Sequence, residues 1–154
     1  MIKLEDLRIG DIVKVNEIGC ALPKNAICKV ASIDSTLYDA NRRFRGSVEL
    51  IVEHDEDWYD TPFGLWCKNI DPIPLTPELL EKNNFKQEQH QKDSNSEWYD
   101  FYHYDLGINI VYEVAKKGIP FAVYLDGKKL REIKYVHELQ HILWALGLNA
   151  ELKV

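Results

Sequence analysis

The sequence predicts a mainly β, α+β protein in two units. The first is a small, strongly bent β-barrel of the Tudor or Src-homology type over 1–85; the second, over 98–154, is an antiparallel four-stranded sheet with one packed helix. Three observations predict this. Short apolar runs separated by turn residues fill the first half. The tract 86–97 contains no apolar side chain and reads as a polar linker or long exposed loop. Beyond it, strand-like runs joined by a tight-turn signal lead into one stretch of helical periodicity.

The elements follow in order. Residues 9–15 form a strand after a turn at Gly10 and Asp11, and 27–33 and 47–52 are two more. A short strand near 65–67 and the stretch 70–73 complete the set. Gly19, Pro23, Asn25, Gly46, Pro62 and Gly64 supply the turns between them. Pro72 and Pro74 end the strand region. Thr76, Pro77 and Glu78 then start a short helix, as N-cap, first helical residue and first-turn acid. It stops at Asn83 and Asn84, and its expected role is a plug over one end of the barrel. In the second unit, 98–104 is a strand with aromatic residues on both faces, and 107–114 is the next. Residues 121–125 meet Asp126 and Gly127, a tight-hairpin pair, and 128–133 return. A helix over about 135–146 closes the chain, with Gly147 as its stop.

Composition bounds the function classes. At 154 residues, with 45% apolar and 29% charged side chains, the chain has the material for one good core or two small ones. No apolar run reaches membrane-span length and no signal-peptide core follows Met1, so a cytoplasmic location is expected. Cys20, Cys28 and Cys67 are odd in number and lack CxxC spacing, which predicts reduced thiols rather than disulfides or a zinc knuckle. A net charge of −6 argues against broad nucleic-acid binding. Arg42, Arg43 and Arg45 are a local exception. They read either as a solvated hairpin tip or as a clamp for phosphate or carboxylate. The acidic run 53–57 with Asp60 lacks the glycine turn and distal glutamate of a calcium loop and reads as a solvated loop.

The pentapeptide from His137 to His141 spells HExxH. On a helix this spacing sets two imidazoles one turn apart beside a carboxylate, the arrangement by which zinc peptidases hold a metal and activate its water. It admits a zinc-dependent hydrolase with His137 and His141 as ligands and Glu138 as base. Val136, Leu139, Ile142, Leu143 and Leu146 form the apolar stripe of the same helix, so the histidines and Trp144 are expected to face outward. Two features count against a zinc site. Only 13 residues follow His141, and Glu151 is their sole candidate third ligand, with His103 and Asp105 as upstream alternatives. No chain remains downstream for the lower half of a substrate cleft. The expectation is therefore no catalytic residue, no metal and no cofactor, with zinc as the alternative.

Several stretches resemble a family of uncharacterised proteins from Bacteroidetes and their phages or mobile elements. They are residues 7–13, residues 73–80 with Phe85, and residues 133–141 with Ala145 and Leu146. In that family the last motif commonly carries Gln at the position of Glu138 and Asn at that of His141. The resemblance thus implies a helix without metal chemistry, and it assigns no activity.

No GxSxG, P-loop or GxGxxG is present. What remains is the aromatic strand, with Trp98, Tyr99, Phe101, Tyr102 and Tyr104 too many for one core face. Its outer residues are expected either to meet another protein surface or to form a stacking platform. In the second case Trp98, Tyr102 and Tyr104 take a base, and Arg42, Arg43 and Arg45 its phosphate. The leading expectation is a non-catalytic binding protein of phage or mobile-element origin. It would act in the host cytoplasm on a host protein or a small anionic ligand such as a nucleotide, and so counteract host defence. A zinc hydrolase and a structural protein acting through homo-oligomerisation are the alternatives.

Overall fold

A computed structural model describes residues 2–16, 22, 24–34, 47–52, 63–66, 69–93, 96–114, 118 and 121–154. The chain divides into two compact units, Met1–Ile73 and Pro74–Val154. Each holds one five-stranded antiparallel sheet, and two α-helices lie in the second, so the mainly β, α+β class holds.

In the first unit a 3-10 turn at Leu4–Asp6 precedes strands β1 (Ile12–Val15), β2 (Ile27–Asp34), β3 (Ser47–Val52), β4 (Phe63–Trp66) and β5 (Ile70–Pro72). Their order in the sheet is β4-β3-β2-β1-β5. Val13, Val15, Cys28, Val30, Val48, Leu50 and Ile70 alternate inward to form the core, joined by Ile2, Leu7 and Leu22. The turn ahead of β1 is set by Gly10 at φ 95° and by Asp11, whose buried carboxylate accepts the Arg8 N–H at 2.7 Å. The predicted closed barrel is not found. Among the described residues β4 and β5 are the two ends of an open sheet, and no pairing joins them.

The second unit begins at Pro74, earlier than predicted, because the short helix belongs to it. Helix α1 (Pro77–Lys82) starts on Thr76, whose Oγ1 accepts the Leu79 N–H at 3.3 Å. It ends in a Schellman turn: Asn84 takes φ 65°, and the Phe85 N–H returns to Leu80 O at 3.0 Å. Leu80 and Phe85 are buried, and Phe85 meets the His103 ring edge-on at 5.0 Å. A bridge from Pro74 to Tyr135 and the Leu75 N–H bonded to Lys134 O anchor the helix entry in this unit. The expected barrel plug is thus part of the second core.

The predicted linker is also a strand. Lys86–Lys92 form β6, paired antiparallel with β7 (Glu97–His103), and the sheet order is β10-β9-β8-β7-β6. Every β6 side chain is exposed, so neither face needs an apolar residue and the alternation that signals a strand is missing. Backbone pairing holds it to the sheet, with side-chain contacts from Glu88, His90 and Lys92. As an edge it carries Lys86, Lys92 and a bulge near Glu88, features that deter pairing with another chain. The sheet therefore has five strands rather than four. Strands β8 (Ile108–Glu113), β9 (Phe121–Leu125) and β10 (Lys128–Ile133) follow as predicted, and Asp126 and Gly127, at φ 48° and 74°, make the two-residue hairpin turn.

Helix α2 (Val136–Ala145) ends as the sequence predicts. Gly147 takes φ 71°, the Leu148 N–H bonds Leu143 O at 2.8 Å and the Gly147 N–H bonds Trp144 O at 2.9 Å. Residues after it fold back along both helices. Gln140 Nε2 donates to Ala150 O at 3.1 Å, while the Asn83 side chain donates to Lys153 O and accepts its N–H at 2.8 and 2.7 Å. Ala150 and Leu152 are buried by this return.

No atom lies within 4 Å of a Cβ built on Gly147 or on Gly64, but only Gly147 has a positive φ. Gly147→Ala should therefore cost about 1–2 kcal/mol through backbone strain alone, and Gly64→Ala should stay within about 0.5 kcal/mol. Urea unfolding of the two variants measures the difference.

Candidate functional site

The HExxH helix uses its residues for folding. Glu138 sits at the third position of α2 and turns back toward the helix start. Its Oε2 accepts the Lys134 N–H at 2.7 Å and the Tyr135 N–H at 3.0 Å, completing a capping box. Arg131 lies 3.5 Å from the other oxygen. A carboxylate held this way faces backbone donors, and serving as a base toward a metal-bound water would require breaking the cap. His137 is also not outward-facing as predicted: it is buried, at 3% exposure. The buried arc of α2 includes His137 and Gln140 beside the leucines, and Gln140 meets the returning tail on a flank that sequence periodicity assigns to solvent. Rings run in contact along this flank: Tyr135 on His137 at 5.7 Å, His137 to His141 at 5.7 Å and His141 on Trp144 at 5.8 Å. Among the described residues no group of three or more His, Cys, Asp or Glu gathers to hold a metal ion, and Glu151, His103 and Asp105 join no such set.

The aromatic strand has two different faces. Residues paired directly across a sheet share a face, so the register of β7 with β8 sorts them. Tyr99, Phe101 and His103 pair with Tyr112, Ile110 and Ile108, and Phe101, Ile108 and Ile110 are fully buried. Trp98, Asp100 and Tyr102 point the other way, opposite Glu113, Val111 and Asn109. On β9, Ala122 and Tyr124 extend this outer face. Trp98, Asp100, Tyr102, Asn109, Val111, Ala122 and Tyr124 are all half-buried. Trp98 and Tyr102 thus share a face. Tyr104 follows the end of β7 and packs edge-on against Tyr102 at 4.8 Å. Its hydroxyl donates to Glu88, which raises its pKa, and Lys86 Nζ lies 5.9 Å from its ring centre. Arg42, Arg43 and Arg45 lie outside the described residues, as do Cys20, Cys67 and the acidic run 53–57 with Asp60.

Within this outer face lies a polar pair that sequence reasoning missed. Asp100 is flanked across the sheet by Gln89 and Val111, and Asn109 by the rings of Tyr102 and Tyr124. Burial raises the Asp100 pKa, against a hydrogen bond from the Asn109 side chain that lowers it, and the Glu88 charge raises it further. Asp100 Oδ1 and Asn109 Oδ1 are both shielded from solvent and have no hydrogen-bond partner. Two acceptors in that state carry an unpaid desolvation cost of about 1–3 kcal/mol each. The only sequence signal was a lone Asp among aromatic residues, and its significance depends on Asn109, nine residues away on the next strand.

The inner face carries a second feature, invisible while 86–97 read as a linker. His90, Tyr99, Tyr112 and Phe121 occupy one row across four strands. Their rings stack at 4.3, 6.0 and 4.7 Å, from the edge into the core. Beside this row a groove of about 680 Å³ opens between α1 and the sheet, lined by Glu78, Glu81, Glu97, Tyr99, Tyr112 and Val114 among others. Its acidic look is reduced by local pairing. Glu97 is bonded by Lys92, Tyr99 and His90, which together hold its carboxyl below the usual range.

Two outcomes follow. Glu138→Ala should lose about 1 kcal/mol of stability through the cap, by the same amount in chelator as in added zinc, as read by chemical unfolding. For Asp100 the folded-state pKa lies above its ordinary value of 3.8. Between the unfolded and folded values the folded state binds more protons, so this residue's contribution to stability falls as pH rises through that window. Asp100→Asn should therefore raise Tm at neutral pH, and its advantage should shrink as pH falls through that window and be gone once pH is below the ordinary aspartate value.

No family model matches the chain, and neither does any curated protein or solved structure.

Proposed function

We propose that the protein is a non-catalytic binding protein whose second unit offers the outer face of its sheet to a small, flat ligand. The observation that carries this reading is the set of half-buried aromatic side chains, Trp98, Tyr102 and Tyr124, that share this face. Aromatic side chains supply a stacking surface for any planar ring, worth about 1–3 kcal/mol per stacked base. Asp100 and Asn109, side by side between these rings, give the face a polar centre.

Several neighbouring statements belong to the same proposal. The first unit is read as a bent barrel-type module, since β5 returns beside β1 at the start of a β1–β4 meander. A cytoplasmic setting, and action on a host component for a phage or mobile element, extend the resemblance described above. Among the described residues no helix is long and apolar enough to cross a membrane. A zinc hydrolase is the weaker reading, because Glu138 is engaged by two backbone N–H groups.

Thermal-shift measurement against nucleosides, nucleotides, flavins and aromatic amines tests the proposal. A true ligand at about 100 times its Kd adds about 2.7 kcal/mol to stability, and Tyr102→Ala should remove the shift while the far-ultraviolet spectrum is kept. No response across the panel defeats the small-ligand reading.

A further inference from the structure

We infer that the two helices of the second unit form a receptor for an extended peptide, filled in each copy by its own residues 149–154 and open to the same segment of a second copy. The receptor shares no residue with the aromatic face, so this interaction is separate from ligand binding there.

The segment follows Gly147, whose φ of 71° ends α2, and residues 148–154 belong to no helix or strand. Its burial nevertheless alternates as a strand's does on an apolar surface: Ala150 and Leu152 are buried, Glu151 and Lys153 exposed. Its backbone is held by side chains. Asn83 donates to Lys153 O at 2.8 Å and accepts the Lys153 N–H at 2.7 Å. One amide reaches both groups of a residue only when that residue is extended, as between paired antiparallel strands. Gln140 Nε2 donates to Ala150 O at 3.1 Å, and Lys82 Nζ donates to Val154 O at 2.7 Å. A receptor built this way reads an extended backbone and two apolar anchors, a small one and a leucine two residues later. None of these contacts requires the segment to be joined to the α2 that it meets.

The same contacts make the segment exchangeable. Its bonds to Asn83 and Lys82 lie in exposed positions, and no strand ladder holds it. Two buried apolar side chains, Ala150 and Leu152, anchor it. Segments with few buried contacts and exposed hydrogen bonds open at a free energy well below that of global unfolding. A second copy offers an identical segment, so exchange between copies preserves every contact. Glu151 and Lys153 give the segment one charge of each sign, so it carries no net repulsion into the receptor.

Two full-length variants, mixed, test the inference by sedimentation. Asn83→Ala keeps the segment and impairs the receptor, whereas Leu152→Asp keeps the receptor and impairs the segment. The equimolar mixture should form a one-to-one dimer at a concentration about tenfold or more below that at which either variant associates alone, the factor expected for burying one leucine. A mixture that stays monomeric, with both far-ultraviolet spectra native, overturns the inference. A labelled peptide of residues 148–154 should bind the Leu152→Asp chain, and the peptide carrying the same change should bind about tenfold or more weakly. Peptide binding without dimer formation overturns the second copy as occupant and points to a segment of another protein. Should either variant unfold, hydrogen exchange of the unaltered chain decides. The Lys153 amide should exchange about tenfold or more faster than those of Phe101 and Ile110. Equal rates mean that the segment leaves only when the whole unit unfolds, and overturn exchange.

Discussion

The second unit depends on the register between β7 and β8. Six residues of each strand pair without interruption, from Trp98 opposite Glu113 to His103 opposite Ile108. That register sends Phe101, Ile108 and Ile110 into the core and leaves Trp98, Asp100, Tyr102, Asn109 and Val111 on the other side. A slip of one residue would exchange the two sets, burying Asp100 in the place of Phe101. The apolar residues that hold the register are thus also what brings Asp100 and Asn109 together. Packing on one face of the sheet fixes the chemistry presented on the other.

The same economy appears in α2. Its first turn needs an acceptor for backbone N–H groups that have no helical partner, and Glu138 supplies it. A glutamate three residues after a helix start and two histidines four apart satisfy a metal-site pattern by coincidence with an ordinary capping pattern. The two uses of the carboxylate compete, since one Oε2 already accepts from both Lys134 and Tyr135. The helix is held at its other end by Gly147 and along its flank by the returning tail through Gln140. Asn83 performs a similar service for α1, where its amide acts as a short stretch of strand against Lys153.

Legibility in the sequence followed burial. Strands with one buried face announced themselves by alternation, as in Ser47–Val52 and Ile108–Glu113. Turns that require positive φ were equally readable, at Asp126 and Gly127 and again at Gly147. β6 was not readable, because a strand exposed on both faces carries no apolar period. Misreading β6 also hid the ring row from His90 to Phe121 and moved the boundary between the units. The outer aromatic residues were found, since their number exceeded what one face holds, but the acceptors among them were not.

By itself, then, the sequence determined the local elements of this protein: where most strands run, where both helices start and stop, and which strand carries surplus aromatic residues. Those follow from interactions within a few residues, namely side-chain alternation, caps and turn dihedrals. Tertiary structure alone decided that His137 is buried and that Asp100 meets Asn109 between tyrosines. Each of these depends on segments brought together across the sheet or by the returning tail. The free energy of a buried polar atom is set by whichever neighbours the fold assembles around it, and a linear pattern does not contain them.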